Sequence, residues 1–296
     1  LMHSLNLASD ISLNYALTKE SMADYDSFYL EVKLPGREEA VHIDPTEKGS
    51  YYYFTLEGLT AVQMNDTLEA TLYMKKNGRR YCSETDHYSI ARYAYAQLSK
   101  DGAHESLKTL CADLLRYGTM AQIYKNYRSD HLADEAMTDA HRAYLSDMRE
   151  LSFGNTNVTL NDMPTPSVTW VGKVLDLQSK VALKFVFDIA GYTGSLDDLS
   201  LRVSYTDIEG KAVTATVKGL ESYNAEAGLY AISFDGLLAA ELRSVLSLRI
   251  YEGDTPVSCT LQYSADTYGN NKTGTLLDLC KALFAYSDSA KAYFNK

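Results

Sequence analysis

Apolar and polar residues alternate in short runs along this chain, and the runs come in two matching sets. In LASDISLNYAL (7–17), Ile11, Leu13, Tyr15 and Leu17 take alternate positions, as do Val181, Leu183, Phe185 and Phe187 in LQSKVALKFVF (177–187). A period of two predicts a strand with one buried face. FYLEVKL (28–34) pairs in the same way with LSLRVSY (199–205), and YYFTLEGL (52–59) with YAISFDGL (230–237), where Gly58 and Gly236 close strands into turns. DTLEATLYMKKNGRRY (66–81) matches SVLSLRIYEGDTPVS (244–258), with NG and GD as hairpin signals between alternating runs. YSIARYAYAQL (88–98) then matches YSADTYGNN (263–271) as a short helix.

The period then lengthens. LKTLCADLLRYGTMAQIYKNY (107–127) overlies LLDLCKALFAYSDSAKAYFNK (276–296), with Leu107, Leu110, Cys111, Leu114, Tyr117, Ala121, Tyr124 and Asn126 each meeting the same residue type. Positions 107, 110, 111, 114, 117, 121 and 124 advance by threes and fours, one stripe of a helix. Burying its larger side chains contributes about 1.5–3 kcal/mol each, enough to dock the helix on a sheet. The echo reads as a packing device.

The pattern predicts a mostly β fold with α: two tandem β-sandwich-like units, each closed by C-terminal helices. The first unit spans 1–127 and the second 166–296. Between them, 128–165 reads as a helical connector through DEAMTDAHRAYLSDM, then a loop-and-strand entry with Pro164 and Pro166 at the boundary.

Length agrees, since 296 residues hold two ordinary domains. The net charge of −11 and the lack of a basic patch argue against nucleic acid as a partner. No apolar run reaches the roughly 18–20 residues of a membrane span. The opening LMHSL, without an initiator Met or signal peptide, reads as an excised or processed fragment. Tyrosine changes the picture most: 24 Tyr against 8 Phe and one Trp suit exposed β-faces that need apolar area with a wettable hydroxyl.

No GxSxG, HExxH, GxGxxG or P-loop pattern occurs, and no cofactor is expected. Glu84, Asp86 and His87, and the set His131, Asp134, Glu135 and His141, contain metal-ligand types, but a solvated turn and an amphipathic connector account for them. SLDDL (195–199) and DYD (24–26) lack EF-hand spacing, and GNNKTG (269–274) reads as a turn. One surface candidate stands out. With Tyr52, Phe54 and Leu56 facing inward, Tyr51 and Tyr53 point outward together about 7 Å apart, as a sugar-stacking platform or an ordinary exposed pair. Trp170 is a further candidate. Each unit also has one strand cysteine and one helix cysteine. In an exported protein Cys82–Cys111 and Cys259–Cys280 would bridge, each contributing about 3 kcal/mol; the alternative is four buried thiols. The absence of CxxC spacing argues against a structural zinc site.

Nearly the whole chain resembles tandem modules of large surface or secreted proteins from gut and rumen Clostridia. The likeness rests on HSLNLASDISLNYAL (3–17), YSIARYAYAQL (88–98), GKVLDLQSKVALKFVF (172–187) and above all the YG-x-x-A-Q-x-Y element at 117–124. In the second copy Ser287 and Lys291 replace Gly118 and Gln122 of that element. The resemblance implies export and an accessory role beside other domains of a larger chain, and carries no activity. The expectation is therefore a non-catalytic extracellular module that binds glycan or a surface protein. The alternative is a structural spacer, and an enzyme stands third.

Overall fold

The computed structural model describes residues 1–7, 11–177 and 181–295; the matched stretches at 8–10 and 178–180 lie outside them. Two compact units result, residues 1–146 and 147–296.

In the first unit the strands are β1 (Met2–Leu7), β2 (Ile11–Thr18), β3 (Ser27–Lys33), β4 (Val41–Ile43), β5 (Thr46–Lys48), β6 (Tyr51–Leu59), β7 (Leu68–Lys76), β8 (Arg79–Cys82) and β9 (Asp86–Tyr88). Two antiparallel sheets form, ordered β1-β2-β6-β5 and β4-β3-β7-β8, with β9 also on β7. Alternation decides the faces. Leu13, Tyr15, Phe54 and Leu56 of one sheet and Leu30, Val32, Ala70 and Leu72 of the other are buried, and Phe28 bridges the layers edge-on to Tyr52 and Phe54. The NG signal forms a two-residue hairpin, Asn77 and Gly78 both at positive φ, as a type I′ turn requires. At one edge His3 bonds Asp86 at 2.6 Å and stacks on Tyr88, which ties the two sheets together.

The second unit repeats this strand for strand. Its elements are β10 (Asn157–Thr159), β11 (Thr169–Asp176), β12 (Ala182–Asp188), β13 (Leu199–Thr206), β14 (Ala212–Val217), β15 (Glu221–Asn224), β16 (Leu229–Phe234), β17 (Val245–Glu252), β18 (Thr255–Pro256) and β19 (Leu261–Ser264). The orders β11-β12-β16-β15 and β14-β13-β17-β19, with β18 also on β17 and β10 added outside β19, match the first unit. Register matches too. Leu13 opposite Leu56 becomes Leu183 opposite Phe234, and Leu30 opposite Leu72 becomes Leu201 opposite Ile250.

Helices cover the sandwich as the sequence predicts. In the first unit α1 (Lys19–Met22) is a single turn, α2 (Ile90–Leu98) is capped by Ser89, and α3 (Glu105–Lys125) packs on α2 and on the turn at Ala61–Gln63. In the second unit the short helix is instead a tighter 3-10 run, Ala265–Asn271, because Gly269, Asn270 and Asn271 are weak helix formers. The long closing helix at Gly274–Phe294 follows.

The α3 stripe is wider than expected. Residues 110–119 are all buried, including Asp113 and Arg116, whereas Tyr124 is 39% exposed. The cause is residues 128–146, expected as a connector, which fold back over α3; α4 (Asp139–Arg142) lies within them. Asp113 accepts from Arg116 Nη2 at 2.6 Å and from the Ser146 hydroxyl at 2.5 Å, and Arg116 donates to the Ser146 carbonyl. Gln122 donates to the His131 carbonyl and accepts from Ala133 N. Gly118 leaves room for this strap: a Cβ there would lie 2.6 Å from Met64 Sδ and 3.1 Å from Ala133 Cβ. The Gly and Gln of YG-x-x-A-Q-x-Y thus seat a strap.

The remainder of the expected connector, 147–165, belongs to the second unit. There Phe153 packs edge-on to Phe284, Gly154 N donates to Asp266, and Arg243 bonds Asp266, Asp288 and the Ser152 carbonyl. A strap on the second closing helix therefore precedes its strands, and Ser287 and Lys291 have no need to mimic Gly118 and Gln122.

Candidate ligand-binding face

Strand pairing turns the outer face of the β4-β3-β7-β8 sheet into a grid. Inward Leu30, Val32 and Leu72 force their neighbours Tyr29, Glu31 and Tyr73 outward. Register then sets Tyr29 opposite Tyr73 and Tyr73 opposite Cys82. The Tyr29 and Tyr73 rings stack with centroids 5.3 Å apart and planes 17° from parallel, inside the offset-stacked range for aromatic pairs. His42 of β4 lies against the Tyr29 ring at 4.3 Å. One rung toward the hairpin, Ser27, Lys75 and Arg80 stand in a row on the same face.

A cleft of about 440 Å³ opens here, lined by Ser27, Tyr29, Tyr73, Met74, Lys75, Arg80, Tyr81 and Cys82. Its volume falls in the range of small-ligand sites. The lining carries two cations and no carboxylate. Glu31 lies beside Tyr73 without lining the cleft; its charge, more than desolvation, pushes the Tyr73 phenol up.

The sequence-expected residues fall elsewhere. Tyr51 and Tyr53 are brought together on the outer face of the other sheet, half-buried, with ring centroids 6.2 Å apart and planes inclined by 59°. Rings at that angle meet one flat ligand face poorly. Trp170 is occupied in packing: it meets Phe185 and Phe187 edge-on, and its Nε1 donates to the Cys259 carbonyl at 2.8 Å.

All four cysteines are free thiols, so neither Cys82–Cys111 nor Cys259–Cys280 is bridged. Cys82 is exposed on β8, whereas Cys111, Cys259 and Cys280 are buried. Burial pushes the Cys111 thiol up to about 12 and the Cys280 thiol to about 11.

Among the described residues no three His, Cys, Asp or Glu side chains gather as a metal site. His131 pairs with Glu135 at 2.6 Å, Asp134 lies by Arg142, and His141 caps α4 with Thr138. Asp86 is engaged with His3, while neighbouring His87 is exposed. At 269–274, Asn270 holds the Gly154 carbonyl and Lys272 covers the Tyr268 ring. No helix among the described residues is long and apolar enough to cross a membrane.

Tyr29 and Tyr73 could be read outward from sequence by alternation alone. Their pairing could not, because β3 and β7 are separated by three strands, two of them in the other sheet, and no local turn sets their register.

No family model and no curated protein matches the chain. Among solved structures, the Br derivative of BhCBM56, a carbohydrate-binding module, is similar with a TM-score of 0.22 and 18% identity, over 29% of this chain and 88% of its own. Pullulanase type I from Bacillus subtilis str. 168, complexed with maltose, is similar with a TM-score of 0.17 and 9% identity over 88% of this chain. The chain spans 24% of that enzyme's length. Likeness this slight carries no functional argument.

Proposed function

We propose that the chain is a non-catalytic extracellular accessory module that binds glycan on the outer face of the β4-β3-β7-β8 sheet. The observation that carries this reading is the stacked Tyr29–Tyr73 pair beside an open cleft of about 440 Å³. An aromatic face attracts the weakly positive C–H face of a sugar ring through its quadrupole, and flanking hydroxyls and cations orient the ring's oxygens. The cleft lining has no carboxylate pair of the kind glycoside hydrolysis uses. Placement on a cell surface or in a secreted chain, beside other domains, rests on the resemblance of the YG-x-x-A-Q-x-Y modules.

A second reading, a spacer, is favoured for the second unit by one observation. The tyrosine equivalent to Tyr73 is Tyr251, and the Arg202 guanidinium covers its ring at 4.0 Å.

The test is a binding screen of the intact chain against plant, host and microbial polysaccharides, with Tyr29→Ala and Tyr73→Ala as variants. Tyr73→Ala is expected to weaken binding about tenfold, the effect of losing one stacked ring worth about 1.4 kcal/mol, and Tyr29→Ala by less, since Tyr29 backs the Tyr73 ring. A Tyr51→Ala/Tyr53→Ala variant probes the other sheet. Binding lost only in that variant would move the site there, and silence of the intact chain on all polymers would favour the spacer.

A further inference from the structure

Resting on that reading, we infer that the ligand is an acidic polysaccharide, its sugar ring lying in the cleft against Tyr73, which Tyr29 backs, and its anionic group held by Lys75 and Arg80. Three observations converge on it. First, Lys75 and Arg80 are directly opposite each other in the β7–β8 register, on the face that carries Tyr73 and Cys82. One rung of sheet separates them from the tyrosine row, about 7 Å, the scale of one sugar residue and its substituent.

Second, both side chains are exposed, and neither has a carboxylate partner among the described residues. The adjacent lysine behaves differently: Lys76 bonds Asp24 at 2.9 Å. In a chain with 39 acidic and 28 basic residues, two adjacent unpaired cations lining one cleft without an acid mark a site for an anion.

Third, the second unit lacks this row. Tyr73 stands four residues before the hairpin turn at Asn77–Gly78, whereas Tyr251 stands two before Gly253–Asp254. The second hairpin ends before a cation rung can form, and its nearest cation, Arg202, is bonded to Asp254. The longer β7–β8 hairpin is thus what adds the charge to the stacking surface.

The carboxylate of a uronic acid and the sulfate of a sulfated sugar share the chemistry that Arg80 and Lys75 recognise. The experiment separates them. Binding of the intact chain is measured on polygalacturonate, alginate, hyaluronan and dextran sulfate, with fully methyl-esterified polygalacturonate and unmodified dextran as neutral counterparts. Arg80→Gln and Lys75→Gln keep side-chain bulk on an exposed hairpin, and thermal melting checks that they fold.

The expected result is binding to at least one anionic polymer, at least tenfold weaker on its neutral counterpart and about tenfold weaker in each Gln variant, with affinity falling as salt rises. Preference for dextran sulfate over all three uronates assigns a sulfate, and the reverse assigns a carboxylate. Binding to neutral polymers that depends on Tyr73 but not on Arg80 would overturn the acidic ligand and leave the tyrosine face standing. Silence on every polymer here and in the broader screen would overturn both. Capture of an acidic peptide through Arg80 and Lys75, with no polysaccharide bound, would also overturn the inference.

Discussion

The two units share strand order and register, yet their equivalent sheet faces differ in three places. Where the first unit sets Tyr29 against Tyr73, the second sets Ser200, 3% exposed, against Tyr251. Where the first leaves its ring pair open to a cleft, the second lays Arg202 over Tyr251 and bonds it to Asp254. Where the first extends a hairpin carrying Lys75 and Arg80, the second turns back two residues earlier. The buried faces of these strands are interchangeable, Leu30 and Val32 for Leu201 and Val203. Duplication has kept the residues that hold the sandwich and changed those that face outward, which is the division expected when one copy binds and the other supports.

The sharpest way to break this comparison is through the thiols. Cys82 ends β8 and is exposed, whereas Cys259, between β18 and β19, is buried. At pH 8 iodoacetamide should modify one thiol per native chain rapidly, identified by peptide mapping as Cys82. The buried thiols should react slower by orders of magnitude, since labelling them needs local opening. Equally rapid labelling of Cys259 would contradict its burial in the second unit. Because Cys111 and Cys280 hold their protons more tightly folded than unfolded, unfolding releases protons above pH 9. Stability should accordingly fall as pH rises from 9 toward 11, in a melting series with Cys111→Ala and Cys280→Ala as controls.

The straps give the next effect. Asp113→Ala leaves Arg116 buried without its carboxylate and should cost about 3–5 kcal/mol by denaturant unfolding. The equivalent residue in the second unit is already Ala282, so the cost arises only because residues 128–146 close over α3. A loss below 1 kcal/mol would show that the strap is not a fixed part of the unit.

Gly118→Ala should cost about 1–3 kcal/mol by overpacking against Met64 and Ala133, whereas Ser287→Gly at the matching position loses only about 0.5 kcal/mol of helix propensity. Arg202→Ala should change stability least, by less than 1 kcal/mol, because its pairing with Asp254 is exposed.

Much of this architecture is written in local pattern. Alternation at 11–17 and 181–187 gives strands with the predicted buried faces, NG at 77–78 gives its hairpin, and the 107–124 spacing gives a docked helix. What escaped is non-local. Nothing near Asp113 announces Ser146, so what reads as a stripe is buried all round over 110–119. That Tyr51 and Tyr53 share an outer face is legible because both lie on one strand; the pairing of Tyr29 with Tyr73 is not, because register between β3 and β7 is set by the whole sheet. Sequence does not reveal the Cys259 carbonyl and the two Phe rings that hold Trp170.

The central claim is that one unit binds and its twin does not, and a single comparison tests it most directly. Affinity for the strongest-binding polysaccharide would be measured by calorimetry for the intact chain, for Tyr73→Ala and for Tyr251→Ala. The account predicts about a tenfold loss in Tyr73→Ala and an unchanged constant in Tyr251→Ala. Equal losses in the two variants, or a loss confined to Tyr251→Ala, would contradict it.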